Sequence, residues 1–149
     1  MTNNNKFPSI AIVGATGAVG KVCLNILAER NYPAEKIKLF ASERSAGKRI
    51  SYNKNDLIVN EADKNSFKGS NVVFISADSE VSLSLAPAAV NSGALVIDDG
   101  SAFRMKKNVP LVVPEVNEDD INFHEGIISI PNCTTTPLAM ALDKLRKLS

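Results

Sequence analysis

Five short apolar runs, each opening into a polar or glycine-bearing loop and most followed by a helical stretch, constrain what this chain can fold into. Ser9-Ile10-Ala11-Ile12-Val13 is apolar at nearly every position, as expected of a strand buried on both faces. Residues 36–41, 71–76, 94–98 and 126–130 repeat that character. Residues 81–91 read as a helix, with Gly93 as its C′ residue, and 48–62 hold one or two further β-prone strands. Strands alternating with helices imply an α/β fold with a doubly wound, mostly parallel sheet and helices on both faces. In such sheets ligands bind beyond the carboxyl ends of the strands. The loops at 14–20, 42–45, 76–79, 99–104 and around Cys133 all fall at those ends and converge on one edge.

The first of these loops has the composition of a phosphate cradle. Gly14-Ala15-Thr16-Gly17-Ala18-Val19-Gly20 follows the first strand directly, and a helix is expected over 21–30 with Val19, Val22, Cys23, Ile26 and Leu27 as its apolar stripe. Glycines let the backbone approach a pyrophosphate, and a helix N-terminus adds N–H donors and a positive dipole end. The Rossmann-type reading makes residues 14–20 candidate cofactor contacts; the Gly-x-x-Gly-x-x-Gly spacing also fits a turn with no ligand. The second strand runs into Ser42-Glu43-Arg44-Ser45-Ala46-Gly47. An acidic residue here commonly holds the ribose 2′-hydroxyl of NAD, whereas Arg44 flanked by Ser42 and Ser45 suits a 2′-phosphate. NADP is therefore favoured over NAD, with Glu43 as the competing signal.

The chain's other end places a thiol where a strand hands over to a helix. Pro131-Asn132-Cys133-Thr134-Thr135-Thr136-Pro137 precedes a helix over 138–148, whose Leu138, Leu142, Leu145 and Leu148 share one face. Cys133 is expected at about the N-cap, where free N–H groups and the helix dipole favour the thiolate, the nucleophilic form. A small, buried, inert cysteine is the plainer alternative.

Composition sets the outer bounds. At 149 residues and 44% hydrophobic, the chain has the size of one domain with a real core. A net charge of +1 gives no electrostatic case for nucleic acid or a membrane surface. No apolar run approaches the roughly 20 residues that span a bilayer, and the polar start lacks a signal-peptide core. Residues 1–8 are expected to form a disordered tail ahead of the domain at 9–149. Two cysteines suggest no disulfide framework, so a cytoplasmic chain with Cys23 in its core is expected. The lone histidine, His124, reads as a surface residue, and no metal ligand set is assigned.

Taken together, the glycine loop 14–20, the 42–47 loop, Ser101-Ala102-Phe103-Arg104, Val109-Pro110-Leu111-Val112-Val113-Pro114-Glu115-Val116-Asn117 and Pro131-Asn132-Cys133-Thr134-Thr135 closely resemble the aspartate-β-semialdehyde dehydrogenase family. The likeness runs through essentially the whole chain, in order and at family-like spacing. It implies NADP- and phosphate-dependent interconversion of aspartate semialdehyde and aspartyl phosphate, in the pathway to lysine, methionine and threonine. On this resemblance Cys133 is the nucleophile, Asn132 orients the phosphate and the reacting oxygen, and Arg104 binds phosphate. Residues 14–20, Ser42, Arg44, Ser45, Ser76 and Ala77 hold the cofactor.

Two departures bear on the site. Ser76-Ala77-Asp78 stands where the family has Ser-Ala-Gly, and Asp98-Asp99-Gly100-Ser101 where it has Asp-Asn-Ser/Thr-Ser. Family members also continue for about as many residues again, with a second domain that supplies the acid/base histidine and most of a homodimer interface. The chain is thus expected to be a cofactor-binding half, inactive alone, with the leucines of its last helix partly exposed. An N-acetylglutamyl-phosphate reductase should have glycine in place of Asn132, and a glyceraldehyde-3-phosphate dehydrogenase an acidic cofactor loop. A non-catalytic NADP-binding module or decayed remnant is the alternative from another functional class.

Overall fold

A computed structural model describes residues 7–148, so most of the expected tail lies outside the described residues. At the start of the described chain, Phe7 meets the Tyr32 ring edge-on at 4.9 Å, and the Tyr32 hydroxyl donates to the Pro8 carbonyl.

Seven strands form one sheet: β1 (Ile10–Val13), β2 (Ile37–Ala41), β3 (Arg49–Tyr52), β4 (Asn55–Glu61), β5 (Val72–Ile75), β6 (Leu95–Asp98) and β7 (Ile127–Ser129). Their order is β3-β4-β2-β1-β5-β6-β7. Every pairing is parallel except that of β3 with β4. The mostly parallel, doubly wound sheet expected from the alternation is thus the fold. From β1 the chain steps to β2 on one side and later to β5 on the other. The crevice between the loops that leave β1 and β5 is therefore the topological switch point, where ligands of such sheets bind. The antiparallel pair turns through Asn53 and Lys54, both at positive φ (44° and 66°), the geometry of a two-residue hairpin.

Strand alternation splits the core between the two faces. Ala11, Val13, Val73, Ile75 and Val96 join Leu85, Ala86 and Ala89 of α2 (Ser79–Asn91) on one face. Ile12, Leu39 and Val59 join Ala15 of the glycine loop and Leu24 of α1 (Ala18–Glu29) on the other. A short helix α3 (Pro114–Asn117) and a longer α4 (Thr135–Arg146) complete the chain.

Three expectations change. Helix α1 begins three residues before residue 21, inside the glycine loop, so Ala18, Val19 and Gly20 are its first turn. Its buried face is Gly20 and Leu24, flanked by half-buried Cys23 and Leu27, while Val19, Val22 and Ile26 face outward. Gly20 wins over the valines because only a residue without a Cβ fits against the glycine loop. Likewise α2 starts at Ser79, two residues before the expected start, with Asp78 as N-cap. Helix α4 starts at Thr135, three residues before residue 138, and ends at Arg146, so Leu148 lies beyond it; Leu138, Leu142, Leu145 and Leu148 are exposed, as expected.

Candidate functional site

The glycine loop is held by backbone contacts that only glycine permits. Gly14 has φ +83°, and its N–H and that of Ala15 both donate to the Phe40 carbonyl, at 2.9 and 3.1 Å. A Cβ at Gly14 would lie 2.0 Å from the Ser76 carbonyl oxygen, so the loops after β1 and β5 touch through it. A Cβ at Gly20 would lie 2.4 Å from the Gly14 carbonyl oxygen, which seats the first turn of α1 directly on the loop. Gly17, the N-cap, offers no side chain to the first-turn N–H groups of α1. Those donors point out of a helix N-terminus free to meet an anion.

Across the switch point lies an open cleft of about 480 Å³. Gly14, Thr16 and Gly17 line one side, Ser42, Glu43 and Arg44 a second, and Ser76, Ala77 and Asp78 a third. The Arg44 guanidinium is exposed and has no hydrogen bond or ion pair among the described residues. Ser45 instead faces inward, at 3.4 Å from both Thr16 Oγ1 and Lys48 Nζ. Ala15 is buried behind the loop, and Ala18, Val19, Gly20 and Ser45 do not line the cleft. The remaining walls, Glu61 and Ala62 at the end of β4 and Val81 and Leu85 on α2, were not singled out from the sequence. Val81 and Leu85 are an i, i+4 pair, and that spacing was the signal for them. Arg44 thus shares the cleft with three carboxylates, Glu43, Glu61 and Asp78.

Cys133 is exposed, one residue before Thr134, which is the actual N-cap of α4. Asn132 organises the turn. Its Oδ1 accepts from the Thr134 N–H at 3.0 Å, the Thr134 hydroxyl at 2.7 Å and the Cys133 thiol at 3.7 Å. Its backbone carbonyl accepts the Thr135 and Thr136 N–H groups, at 2.9 and 3.1 Å. The Asn132 amide N–H₂ remains available to a ligand. Arg104 is half-buried, its Nε donating to the Ile130 carbonyl at 3.0 Å and its Nη2 to that of Asp99 at 2.7 Å. It therefore ties the loop after β6 to the segment that leads into Cys133. These three residues lie outside the cleft's lining, and Ser79 and Ser101, 3.2 Å apart through their hydroxyls, link the cleft's α2 wall to the Arg104 loop.

Two carboxyls at the end of β6 are perturbed. Burial pushes Asp99 above the ordinary carboxylate range, offset in part by the Ser76 hydroxyl and Arg104. Burial also pushes Asp98 up, and the neighbouring Asp99 charge adds to the effect. The Ser82 hydroxyl lies close enough to Asp98 to favour its charged form, yet without hydrogen-bond geometry to either carboxyl oxygen. His124 is exposed, and its Nδ1 accepts the Gly126 N–H at 3.0 Å. Cys23 is half-buried on the α1 side of the sheet, where burial pushes its thiol up.

Known proteins resemble this chain over most of its length. The family model of the semialdehyde dehydrogenase NAD-binding domain matches residues 9–124. Aspartate-semialdehyde dehydrogenase of Bacillus subtilis is 50% identical over 138 residues, which cover 93% of this chain and 40% of the relative. That of Synechocystis is 45% identical over 139 residues, covering 93% and 41%. The chain therefore spans about 40% of the length of the curated relatives it matches. Among solved structures, aspartate semialdehyde dehydrogenase II of Vibrio cholerae superposes with a TM-score of 0.90 at 38% identity, over 96% of this chain and 43% of that one. The Candida albicans enzyme, solved with NADP, gives 0.76 at 27% identity, over 95% and 47%.

Proposed function

The chain belongs to the semialdehyde dehydrogenase family through its NAD-binding domain, and we propose that it is the cofactor-binding half of an NADP-dependent, phosphorylating aspartate-semialdehyde dehydrogenase. The observation that carries this reading is the cleft at the switch point, faced by an uncapped helix N-terminus and by an arginine with no partner among the described residues. A dinucleotide phosphate fits these donors: the N-terminus of α1, which meets the cleft at Gly17, takes the pyrophosphate, and Arg44, with Ser42, takes the 2′-phosphate. Ser76 and Ala77 form the facing lip, and Val81 and Leu85 add its apolar wall. Bound NADP supplies the hydride acceptor.

Cys133 is the nucleophile in this reading. Its thiolate adds to the aldehyde carbon of aspartate semialdehyde; loss of hydride from that carbon leaves a thioester. Phosphate then attacks the acyl carbon, releasing aspartyl phosphate and restoring the thiolate. Asn132 orients the thiol through its Oδ1 and has its amide N–H₂ left for the reacting oxygen or phosphate. Arg104 has spent two donor edges on carbonyls, and the rest of its guanidinium meets the phosphate. His124, the sole histidine, accepts the Gly126 N–H and makes no hydrogen bond to Cys133 among the described residues, so this chain alone is expected not to turn over. The intact enzyme is expected to be a cytoplasmic homodimer.

The test is a fluorescence titration with NADPH and NADH. The chain is expected to prefer NADPH, and Arg44→Ala to remove that preference by weakening NADPH about ten-fold or more, since a hydrogen bond to a charged group contributes about 1.5–3 kcal/mol. Equal binding of both cofactors by the parent, unchanged in Arg44→Ala, refutes the assignment of Arg44. Binding of neither makes the cleft something other than a cofactor site in this chain.

A further inference from the structure

Asp98 ends β6 with its side chain among the residues facing α2, at 0% exposure. Ser129, its register partner on β7, and Ser82 of α2 are shielded as completely. Neither Asp98 carboxyl oxygen and neither serine hydroxyl has a hydrogen-bond partner of ordinary geometry among the described residues. An ionised carboxylate in such a place is costly unless a cation pairs with it. The charged groups acting on it are Asp99, of the same sign, and Arg104, whose Nε and Nη2 go to carbonyls. A protonated carboxyl instead brings an O–H donor beside two hydroxyls that each donate and accept. Burial shifts Asp98 in that direction, opposed in part by the Ser82 hydroxyl, the Gly100 N–H and the Arg104 charge.

The backbone around this cluster grips one residue from both sides. The Asp98 carbonyl accepts the Ile130 N–H at 3.0 Å, while Arg104 Nε donates to the Ile130 carbonyl at 3.0 Å. Arg104 is anchored in turn by the Asp99 carbonyl at 2.7 Å. Gly100 lets the loop close over Asp98, since a Cβ there would stand 3.2 Å from Asp98 Oδ1. Three residues beyond Ile130 is Cys133.

We propose that Asp98 is a positioning residue for Cys133: its buried carboxyl, set against Ser82 and Ser129, fixes the 98–104 loop that holds Ile130 and so sets where the thiol stands at the start of α4. This rests on Cys133 being the reactive thiol. The same chain contains its own control, because Cys23 lies half-buried on the opposite, α1 face of the sheet and reports general loosening.

The experiment is alkylation by iodoacetamide at pH 7, with the two cysteines followed separately by mass spectrometry. In Asp98→Ala, Cys133 is expected to react about three-fold more slowly as the turn at the start of α4 shifts and takes the thiol from its exposed place, with Cys23 unchanged. Asp98→Asn, which keeps the shape and an N–H donor, is expected to restore the parent rate. An unchanged or faster Cys133 in Asp98→Ala overturns the inference, as does acceleration of both thiols together. Should Asp98→Ala fail to fold, Ser129→Ala is expected to slow Cys133 about two-fold with Cys23 unchanged, and no selective slowing there overturns it equally. A parent Cys133 no faster than Cys23 removes the nucleophile reading and the inference with it. A fast parent Cys133 insensitive to residue 98 removes the inference alone.

Discussion

Replacing Gly20 by alanine sets two physical effects against each other at the point where helix and glycine loop meet. Alanine is the better helix former by about 1 kcal/mol, which favours the variant. The added methyl, however, lies 2.4 Å from the Gly14 carbonyl oxygen, 2.8 Å from Ala15 Cα and 3.0 Å from Ala15 C. All three are backbone atoms, so no side-chain rotation relieves the overlap. Overpacking of a well-filled site costs about 1–3 kcal/mol, and contacts this short on unyielding atoms belong at the upper end. The overlap therefore wins, with a net loss of about 1–2 kcal/mol.

The same displacement moves the first turn of α1 away from the loop that positions the pyrophosphate. If one hydrogen bond to that charged group is lost, at about 1.5–3 kcal/mol, NADPH binding weakens at least about ten-fold. Urea unfolding followed by circular dichroism reads the stability, and NADPH fluorescence reads the affinity. Gly17→Ala, whose Cβ meets only the Gly14 oxygen at 3.2 Å, should be milder on both. Gly47→Ala isolates backbone strain, because Gly47 has φ +82° with nothing within 4 Å of the added carbon; it should lose stability while leaving the affinity alone. A Gly20→Ala chain as stable as the parent, with full NADPH affinity, refutes the claim that this close approach builds the site.

Other consequences follow from the charges. Asp78→Gly removes one of three carboxylates lining the cleft with Arg44; it should tighten NADPH about two- to five-fold and NADH less, the gain shrinking in high salt, as titrations at two ionic strengths would show. The raised Asp98 carboxyl contributes stability that is full below the unfolded carboxylate pKa of about 4 and is lost as pH rises through its higher folded value. Asp98→Asn should therefore match the parent in acid and exceed it in urea midpoint at pH 8; a parent that is the more stable at pH 8 refutes this sign. Asp143, held down by hydrogen bonds from Lys147 and Arg146, does the opposite: its contribution is present above the unfolded pKa and lost as pH falls through its lower folded value. Asp143→Asn should accordingly flatten the acid side of the stability profile, read by the same unfolding series.

What the sequence made legible here depended on local chemistry, and what it hid depended on proximity. Strands β1, β2, β5, β6 and β7 could be read because each is mostly apolar and runs into a polar or glycine residue, which is how a strand covered on both faces is written. The positions of Arg44, Ser76 and the Cys133 turn followed, since a parallel sheet sends every such loop to one edge. Helix α1 was harder. Val19, Val22 and Ile26 form as regular an apolar series as Leu24 with its neighbours, and hydropathy alone cannot rank two stripes on one helix. The choice was made by Gly20, whose missing side chain lets the helix sit on Gly14 and Ala15. Asp98 is the same lesson with the sign reversed: as a residue type it belongs at a solvated strand end, and only the register with Ser129 and the approach of Ser82 put it inside. It follows that the spacing of the three glycines is weak evidence for a nucleotide site by itself. The stronger evidence is what each glycine touches, because a turn that only reversed the chain would have no need to bring backbone to within 2.4 Å of a methyl's place at Gly20, nor to within 2.0 Å at Gly14.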